Sequence, residues 1–475
     1  MDTLRISQID ARYRLPAGAE DTRPRLDRVL RGMLDEALET AVARLDIAEH
    51  EQLCVRRIDA VARLRLTDDD PSLMAAWSVA IADALATAIA DGRGVVRYGS
   101  RAHALVDLIA GVAASDLSRA WAWRMLGLWG DDDGVTPARG AELCVDALCS
   151  EPSAITAVLR EAARSGALAA LRPRIGPRGF IALARAALSA CSLAPDLVAA
   201  SADAPAPTPA ALREAERIAR SSPIAPIACV EIRPAAHRAL AVLAALDVEP
   251  GSLRGPDAAV RALIEALVTT ALSAASPAAS VARAATHDER DVHAVRGLAD
   301  PEERPLPRVR RRGGTRMAGV LFLLHIVAEL DLPREILTVA PLDMRPLRWS
   351  LHAIAMSLAL MEPRDPAALA FAGLGPNDDP PSRNAAPPTD AERDAVAAIT
   401  ARIAARLRER LRRDEPAATV LREVILRRAE IVADPGWLEV RLSLDDVHTD
   451  IRRAALDLDP GWIPWLGAIV RFVYG

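Results

Sequence analysis

The chain has 475 residues, and all 59 of its basic residues are arginine because the sequence contains no lysine. The absence of lysine excludes enzymes that use a Schiff-base lysine, a Walker A phosphate loop or a kinase-type strand lysine. The formal net charge is −5, whereas a nucleic-acid-binding domain is typically basic. We therefore expect no nucleic-acid partner.

The first module, residues 1–92, is predicted to run strand, helix, strand, helix. Partial alternation of apolar and polar residues predicts a strand over 4–15. Apolar residues at three- and four-residue steps predict a helix over 21–50. Residues 54–66 mix both periods, but their β-branched residues favour a strand. A proline at an early position then begins a helix over 70–90, which ends at an Asp-Gly pair.

The middle of the chain is predicted to be helical in short pieces. Residues 93–193 form a helical domain divided by glycines and prolines. Residues 194–210, rich in Pro, Ala and Ser, have the composition of a linker. A helical segment follows over 211–276, and 277–314 is predicted to be an irregular, arginine-rich linker. No internal repeat of fixed period is visible, which disfavours a solenoid.

The last part is predicted to be a helical domain over 315–433 and a strand-containing module over 434–475. Residues 437–444 alternate like a strand, and 468–474 are β-branched and aromatic. The predicted fold class is therefore mainly α with a minor β component, with short strands near both termini. Strand order alone suggests that these terminal strands share one small sheet.

Two groups of tryptophans are candidate partner-binding residues, because only 3% of the residues are aromatic and 8 of them are Trp. Helical spacing places Trp121 and Trp129 on one face, with Trp123 off it. The second group is Trp462 and Trp465, in a turn between the last two predicted strands. The alternative for both groups is that they are packed anchors of the core.

An arginine run provides the other candidate binding residues, Arg310, Arg311 and Arg312. Such a run can grip an anionic partner, and a solvated loop is the alternative. His287 and His293 lie among acidic residues, but their spacing matches no metal pattern. We therefore predict no catalytic, cofactor or metal-binding residues.

The ends and the apolar runs bear on localisation. The N-terminus has no apolar signal region, and the apolar run from Met317 to Leu330 is too short to span a membrane and carries a His and a Glu. We expect a cytoplasmic protein without a membrane span. The oligomeric state stays open.

Two segments resemble the tape measure-like proteins of bacterial contractile injection systems, which are devices similar to phage tails. That family has an opening strand, a long amphipathic helix and a charged strand of the type R-I-D-x-L-x-L. Val55 to Leu66, VRRIDAVARLRL, is similar to it. The family also has an N-A-G-L-x-L-L-x-P-x-L segment followed by a leucine-rich stretch. Met317 to Leu324, MAGVLFLL, and the residues to Leu332 resemble this segment, with Met in place of Asn.

The resemblance implies a structural role: assembly or length control of the tube, with contacts to tube or baseplate subunits and no catalytic residues. A literal ruler would need long uninterrupted helices, and the 34 prolines argue against one continuous rod. Two alternatives stay open. One is a helical adaptor that binds another protein through its Trp-rich segments, and the other is an uncharacterised enzyme or metal protein using His287 and His293.

Overall fold

The computed structural model describes residues 6, 8–34, 38, 51–92, 94–130, 137–199, 206–225, 234–274, 306–307, 310–383 and 385–475. These residues are mainly helical with a few short strands, so the predicted fold class is confirmed. They divide into two compact units, which are described separately. The first comprises 1–104 with 116–133, and the second comprises 105–115 with 134–475.

The elements of the described residues are numbered in chain order. The helices are α1 (Arg23–Gly32), α2 (Asp70–Asp91), α3 (Arg101–Ala114), α4 (Ala120–Met125), α5 (Pro137–Ser150), α6 (Ile155–Arg164), α7 (Ala167–Ala190), α8 (Pro209–Ser221), α9 (Pro234–Val248), α10 (Asp257–Ala274), α11 (Leu324–Glu329), α12 (Leu332–Thr338), α13 (Leu347–Ala359), α14 (Pro366–Phe371), α15 (Asp390–Leu411), α16 (Ala417–Ile425) and α17 (Thr449–Arg453). The strands are β1 (Gln52–Val55), β2 (Val95–Tyr98), β3 (Arg311–Thr315), β4 (Ala429–Asp434), β5 (Trp437–Leu442), β6 (Gly461–Ile463) and β7 (Ala468–Tyr474).

The first unit packs α1 against α2 beside a two-stranded antiparallel sheet of β1 and β2. The prediction of α2 is confirmed. Its N-terminus is capped by Asp69, whose Oδ1 accepts a hydrogen bond from the Ser72 N–H at 3.0 Å. Leu26 and Val29 of α1 and Leu73 of α2 form a small buried cluster. One stripe of each helix therefore supplies this core.

Two strand predictions in this unit are wrong. None of the described residues between 4 and 15 lies in a strand, and most of the predicted strand over 54–66 is irregular, with Val61 86% exposed. Strand β1 overlaps the start of that segment, and its four residues pair with β2. The sequence pattern could not reveal that no second strand of the described residues lies beside the rest of these segments. Most of the second half of the helix predicted over 21–50 lies outside the described residues.

The second unit contains a layer of helices, α5 to α10. The longest described helix of this unit, α7, is broken by a non-helical residue, Gly176 (φ 62°, ψ 178°), between Pro173 and Pro177. The predicted division by Gly and Pro is thus present within a single helical span. Part of the predicted linker is ordered as well, since Pro195–Val198 forms a 3-10 helix with two buried residues.

The same unit holds a five-stranded sheet in the order β3-β4-β5-β7-β6, in which only the β5–β7 pairing is parallel. The predictions of β5 and β7 are confirmed. The idea that strands from both ends of the chain share one sheet is wrong, because β1 pairs with β2. The predicted linker over 277–314 is also wrong at its end, since Arg311 to Thr315 pair with β4. The sequence RRGGT has a single β-branched residue, Thr315, and two glycines, so tertiary pairing decides its conformation.

The apolar segment that carries part of the family resemblance is the centre of this unit. Ala318–Leu323 forms a 3-10 helix whose residues are all buried, and α11 follows directly. A hydrogen bond joins the start of the 3-10 helix to the residues that follow α16: the Ala318 N–H donates to the Arg427 carbonyl at 3.0 Å. A Cβ at Gly319 would lie 1.9 Å from the Val424 carbonyl oxygen. Only glycine fits at this crossing.

Among the described residues, α2 alone is long and apolar enough to cross a membrane, with a mean hydropathy of 1.7 over its most apolar window. From the sequence, this segment is predicted only to be a helix. Core helices of soluble proteins meet the same criterion, although only 17% of this window is buried. Exposed Asp83 in its middle would cost about 3 kcal/mol at the centre of a bilayer. The absence of a membrane span therefore stays our prediction.

Candidate functional site: an arginine-lined cleft

The first tryptophan group is largely buried. Trp123 is fully buried and Trp129 is 5% exposed, and their ring centroids lie 5.7 Å apart. Trp121 is half-buried. The predicted face shared by Trp121 and Trp129 is wrong, because α4 ends at Met125 and the chain turns back, so that the Leu128 N–H donates to the Trp123 carbonyl at 2.8 Å. Helical spacing does not extend across this turn.

The second tryptophan group attaches the C-terminal sheet to other elements of its unit. Trp462 lies in strand β6, so its prediction in a turn is wrong. It is half-buried, and its indole Nε1 donates to the Ala190 carbonyl at the end of α7 at 2.8 Å. Trp465 packs against the main hydrophobic core. These contacts favour the anchoring alternative over a free binding surface. No contact tests a partner, so the binding role stays a prediction.

The arginine run divides into paired and exposed residues. Arg310 donates to both carboxylate oxygens of Asp434, at 3.1 and 2.8 Å to Oδ2 and 3.3 Å to Oδ1. Arg311 donates to Asp378 Oδ1 at 2.6 Å. Arg312 is half exposed, and its Nη1 lies 3.8 Å from Glu430 Oε2, which is too far for a hydrogen bond. Of the three, Arg311 reaches a cleft.

We call this space the arginine cleft. It lies between α6, the turn from β4 to β5 and the loop after α14, and its volume is about 60 Å³. Its charged lining consists of Arg160, Glu161, Arg164, Arg311, Arg348, Asp378 and Asp434. Arg160, Arg164 and Arg348 were not among the predicted site residues.

Close backbone approach shapes the cleft. Gly436 in the β4–β5 turn has φ 71°, and a Cβ there would lie 3.4 Å from the Ala157 Cβ of α6. The positive φ favours glycine at this position. The β4–β5 turn therefore packs against α6. This contact places Asp434 and Trp437 in the lining of the arginine cleft together with Arg160 and Arg164.

One buried ion pair fixes the floor of the cleft. Arg160 is paired through Nε with Asp247, whose side chain is 2% exposed, and its Nη2 donates to the Asp247 carbonyl at 2.9 Å. The Ser222 hydroxyl donates to the other carboxylate oxygen of Asp247 at 2.9 Å. Burial is the largest single influence and lowers the pKa of Arg160, but the charge and hydrogen bond of Asp247, together with the charges of Asp378 and Glu161, outweigh it and the net shift is upward. Arg160 is thus held charged and rigid.

A second buried pair lies behind it. Arg348 is 9% exposed, and its Nη groups reach the carbonyls of Asp247 and Leu466 at 3.3 and 3.4 Å. Its backbone N–H donates to Glu249 Oε2 at 3.3 Å. Burial lowers the pKa of Arg348 and raises that of Glu249. Glu249 Oε1 has no hydrogen-bond partner among the described residues, so this carboxyl is incompletely compensated.

The chemistry of the cleft is that of oxyanion recognition. Guanidinium groups present planar donors that match a carboxylate or phosphate. Within the described ranges, no group of three or more His, Cys, Asp or Glu side chains is placed to hold a metal ion. His287 and His293 lie outside those ranges. A signal for two cleft residues was present in the sequence, since Arg160 and Arg164 are spaced to share a helix face, but nothing indicated which face.

Comparisons with models of known protein families, with curated proteins and with solved structures find no match in any of the three.

Proposed function

We propose that this chain is a non-enzymatic structural or assembly protein of a bacterial contractile injection system, tape measure-like, that acts in the cytoplasm and contacts tube or baseplate subunits. The proposal rests on the two resembling segments. The observation that carries it is the position of the second segment, because Ala318–Leu323 is wholly buried at the centre of its unit.

Gly319 strengthens this argument. It occupies the place of the glycine in the family's N-A-G-L pattern, and here the backbone of α16 excludes any side chain. A glycine required by packing is a more specific match than apolar residues, which many sequences share. The first segment, Val55 to Leu66, supplies no such packing constraint, since most of it is irregular.

The helix lengths favour assembly over measurement. Among the described residues, the longest helical span is α7, which has 24 residues and is interrupted at Gly176. At about 1.5 Å per residue it would reach about 36 Å even without that break. We therefore place the chain among the proteins that help to build the particle, rather than those that set its length by a continuous rod.

The test is deletion of the gene in the source bacterium with complementation. We expect particles to be missing or incomplete, and a tagged wild-type chain to restore them and to co-purify with tube or baseplate subunits. Gly314→Ala should restore assembly, because a Cβ there meets nothing within 4 Å. Gly319→Ala should not. Particles of normal number and length in the deletion strain, without co-purification, would overturn the proposal.

A further inference from the structure

We propose that the arginine cleft binds a side-chain carboxylate of an acidic segment on a protein partner. The proposal is independent of the injection-system function, because it concerns the chemistry of the cleft and not the identity of the partner. It differs from the predicted role of the arginine run, since only Arg311 of that run lines the cleft.

Donor capacity is the first argument. The side chains of Arg160, Arg164 and Arg311 are 25%, 40% and 30% exposed. Arg164 donates from Nη1 to Glu161 Oε1 at 2.7 Å, and no other acceptor in the described part of the chain takes a hydrogen bond from it. A guanidinium has five N–H donors. Arg164 therefore has spare donors at the rim of the cleft.

Charge balance is the second argument. The lining contains four arginines and three carboxylates, and Asp434 is already held by Arg310. Asp247 balances Arg160 from below. The buried carboxyl of Glu249 would balance Arg348, but its burial disfavours ionisation. An incoming carboxylate would complete this set of charges.

Size and apolar lining decide between the candidate anions. About 60 Å³ holds a few water molecules or one small group, far less than the 300–1,000 Å³ of typical small-molecule pockets. Ala157, Pro435 and Trp437 also line the opening. Their apolar surface suits the methylene groups of an Asp or Glu side chain, which inorganic phosphate lacks. We therefore infer a protein carboxylate.

Isothermal titration of the full chain with an acetylated, amidated peptide of alternating Glu and Gly tests the proposal. The Gln–Gly peptide and inorganic phosphate serve as the comparison ligands. We expect only the Glu peptide to bind, with a Kd that rises at least tenfold between 50 and 300 mM salt. Arg164→Gln should weaken binding at least fivefold without unfolding the chain, because this side chain is exposed and, among the described residues, bonds only to Glu161.

Arg334→Gln is the matched control, since Arg334 is 82% exposed on α12 and lies outside the cleft. It should leave the Kd unchanged. Three results would each overturn the proposal: equal binding of the Glu and Gln peptides, binding of phosphate but not of the Glu peptide, or equal weakening by Arg334→Gln and Arg164→Gln.

Discussion

Two apolar segments of this chain differ sharply in burial. Every residue from Ala318 to Leu324 is buried. Helix α2 is also apolar and much longer, but only Leu73, Ser78 and Leu85 of its residues are buried. The neighbours explain the difference. The 3-10 helix contacts α13, α14 and α16, whereas α2 packs one stripe against α1. Hydropathy predicts the tendency of a segment to be buried, but the packing elements determine how much of it is.

The largest expected effect is that of Gly319→Ala. The new Cβ would lie 1.9 Å from the Val424 carbonyl oxygen, a backbone atom that cannot move without shifting α16. We expect a loss of more than about 4 kcal/mol in the free energy of unfolding, above the usual cost of overpacking. Urea denaturation of the second unit measures it.

Gly314→Ala is the control for the added methyl group. It lies in the same region, and its Cβ meets nothing within 4 Å. Removing a glycine from a strand should be neutral or stabilising by about 0.5 kcal/mol. Equal destabilisation by both variants would contradict the packing argument at Gly319.

A pair of truncations tests the two segments directly. Leu321 is fully buried, and Leu321→Ala should cost about 3 kcal/mol through lost burial and the cavity left behind. Val79 on α2 is 48% exposed. Val79→Ala should change stability by less than about 0.5 kcal/mol, since alanine has the higher helix propensity. A cost at Val79 similar to that at Leu321 would mean that the exposed face of α2 is covered in solution.

A smaller, pH-dependent effect is expected at the start of α15. Arg345 donates to Glu392 Oε1 and Oε2 at 2.7 and 2.9 Å, and the Thr389 N–H donates to Oε2 at 2.7 Å. Hydrogen bonding from Arg345 is the main cause that lowers the pKa of Glu392 from about 4.5 to about 2. Because the pKa in the folded state is depressed, its stabilisation is complete above pH 4.5 and is lost as the pH falls toward 2.

Denaturation at pH 7 and at pH 3 checks this effect. Glu392→Gln should cost about 2 kcal/mol at pH 7, since it removes the charge-assisted bonds and weakens the cap. The difference from wild type should shrink at pH 3. A difference that is constant with pH would show that ionisation of Glu392 does not contribute.

The sequence predicts elements better than it predicts their contacts. The caps and prolines located α2, and β-branched residues located β5 and β7. Strand β3 was missed, because the glycines of RRGGT form a strand only through pairing with β4. The arginine cleft was missed for a similar reason: Arg160, Arg311 and Arg348 are far apart in sequence, and the approach of the β4–β5 turn to α6 brings them together.

The smallest effect concerns a tryptophan that was predicted to bind a partner. Trp462→Phe replaces the indole by a smaller phenyl ring and removes the Nε1 hydrogen bond to the Ala190 carbonyl. We expect a loss of about 1 kcal/mol in the unfolding free energy of the second unit, measured by urea denaturation. Trp121→Phe is the comparison, because no acceptor in the described ranges bonds its Nε1, and it should cost less. If Trp462→Phe leaves stability unchanged but weakens capture of tube or baseplate subunits, Trp462 is a binding residue and not an anchor.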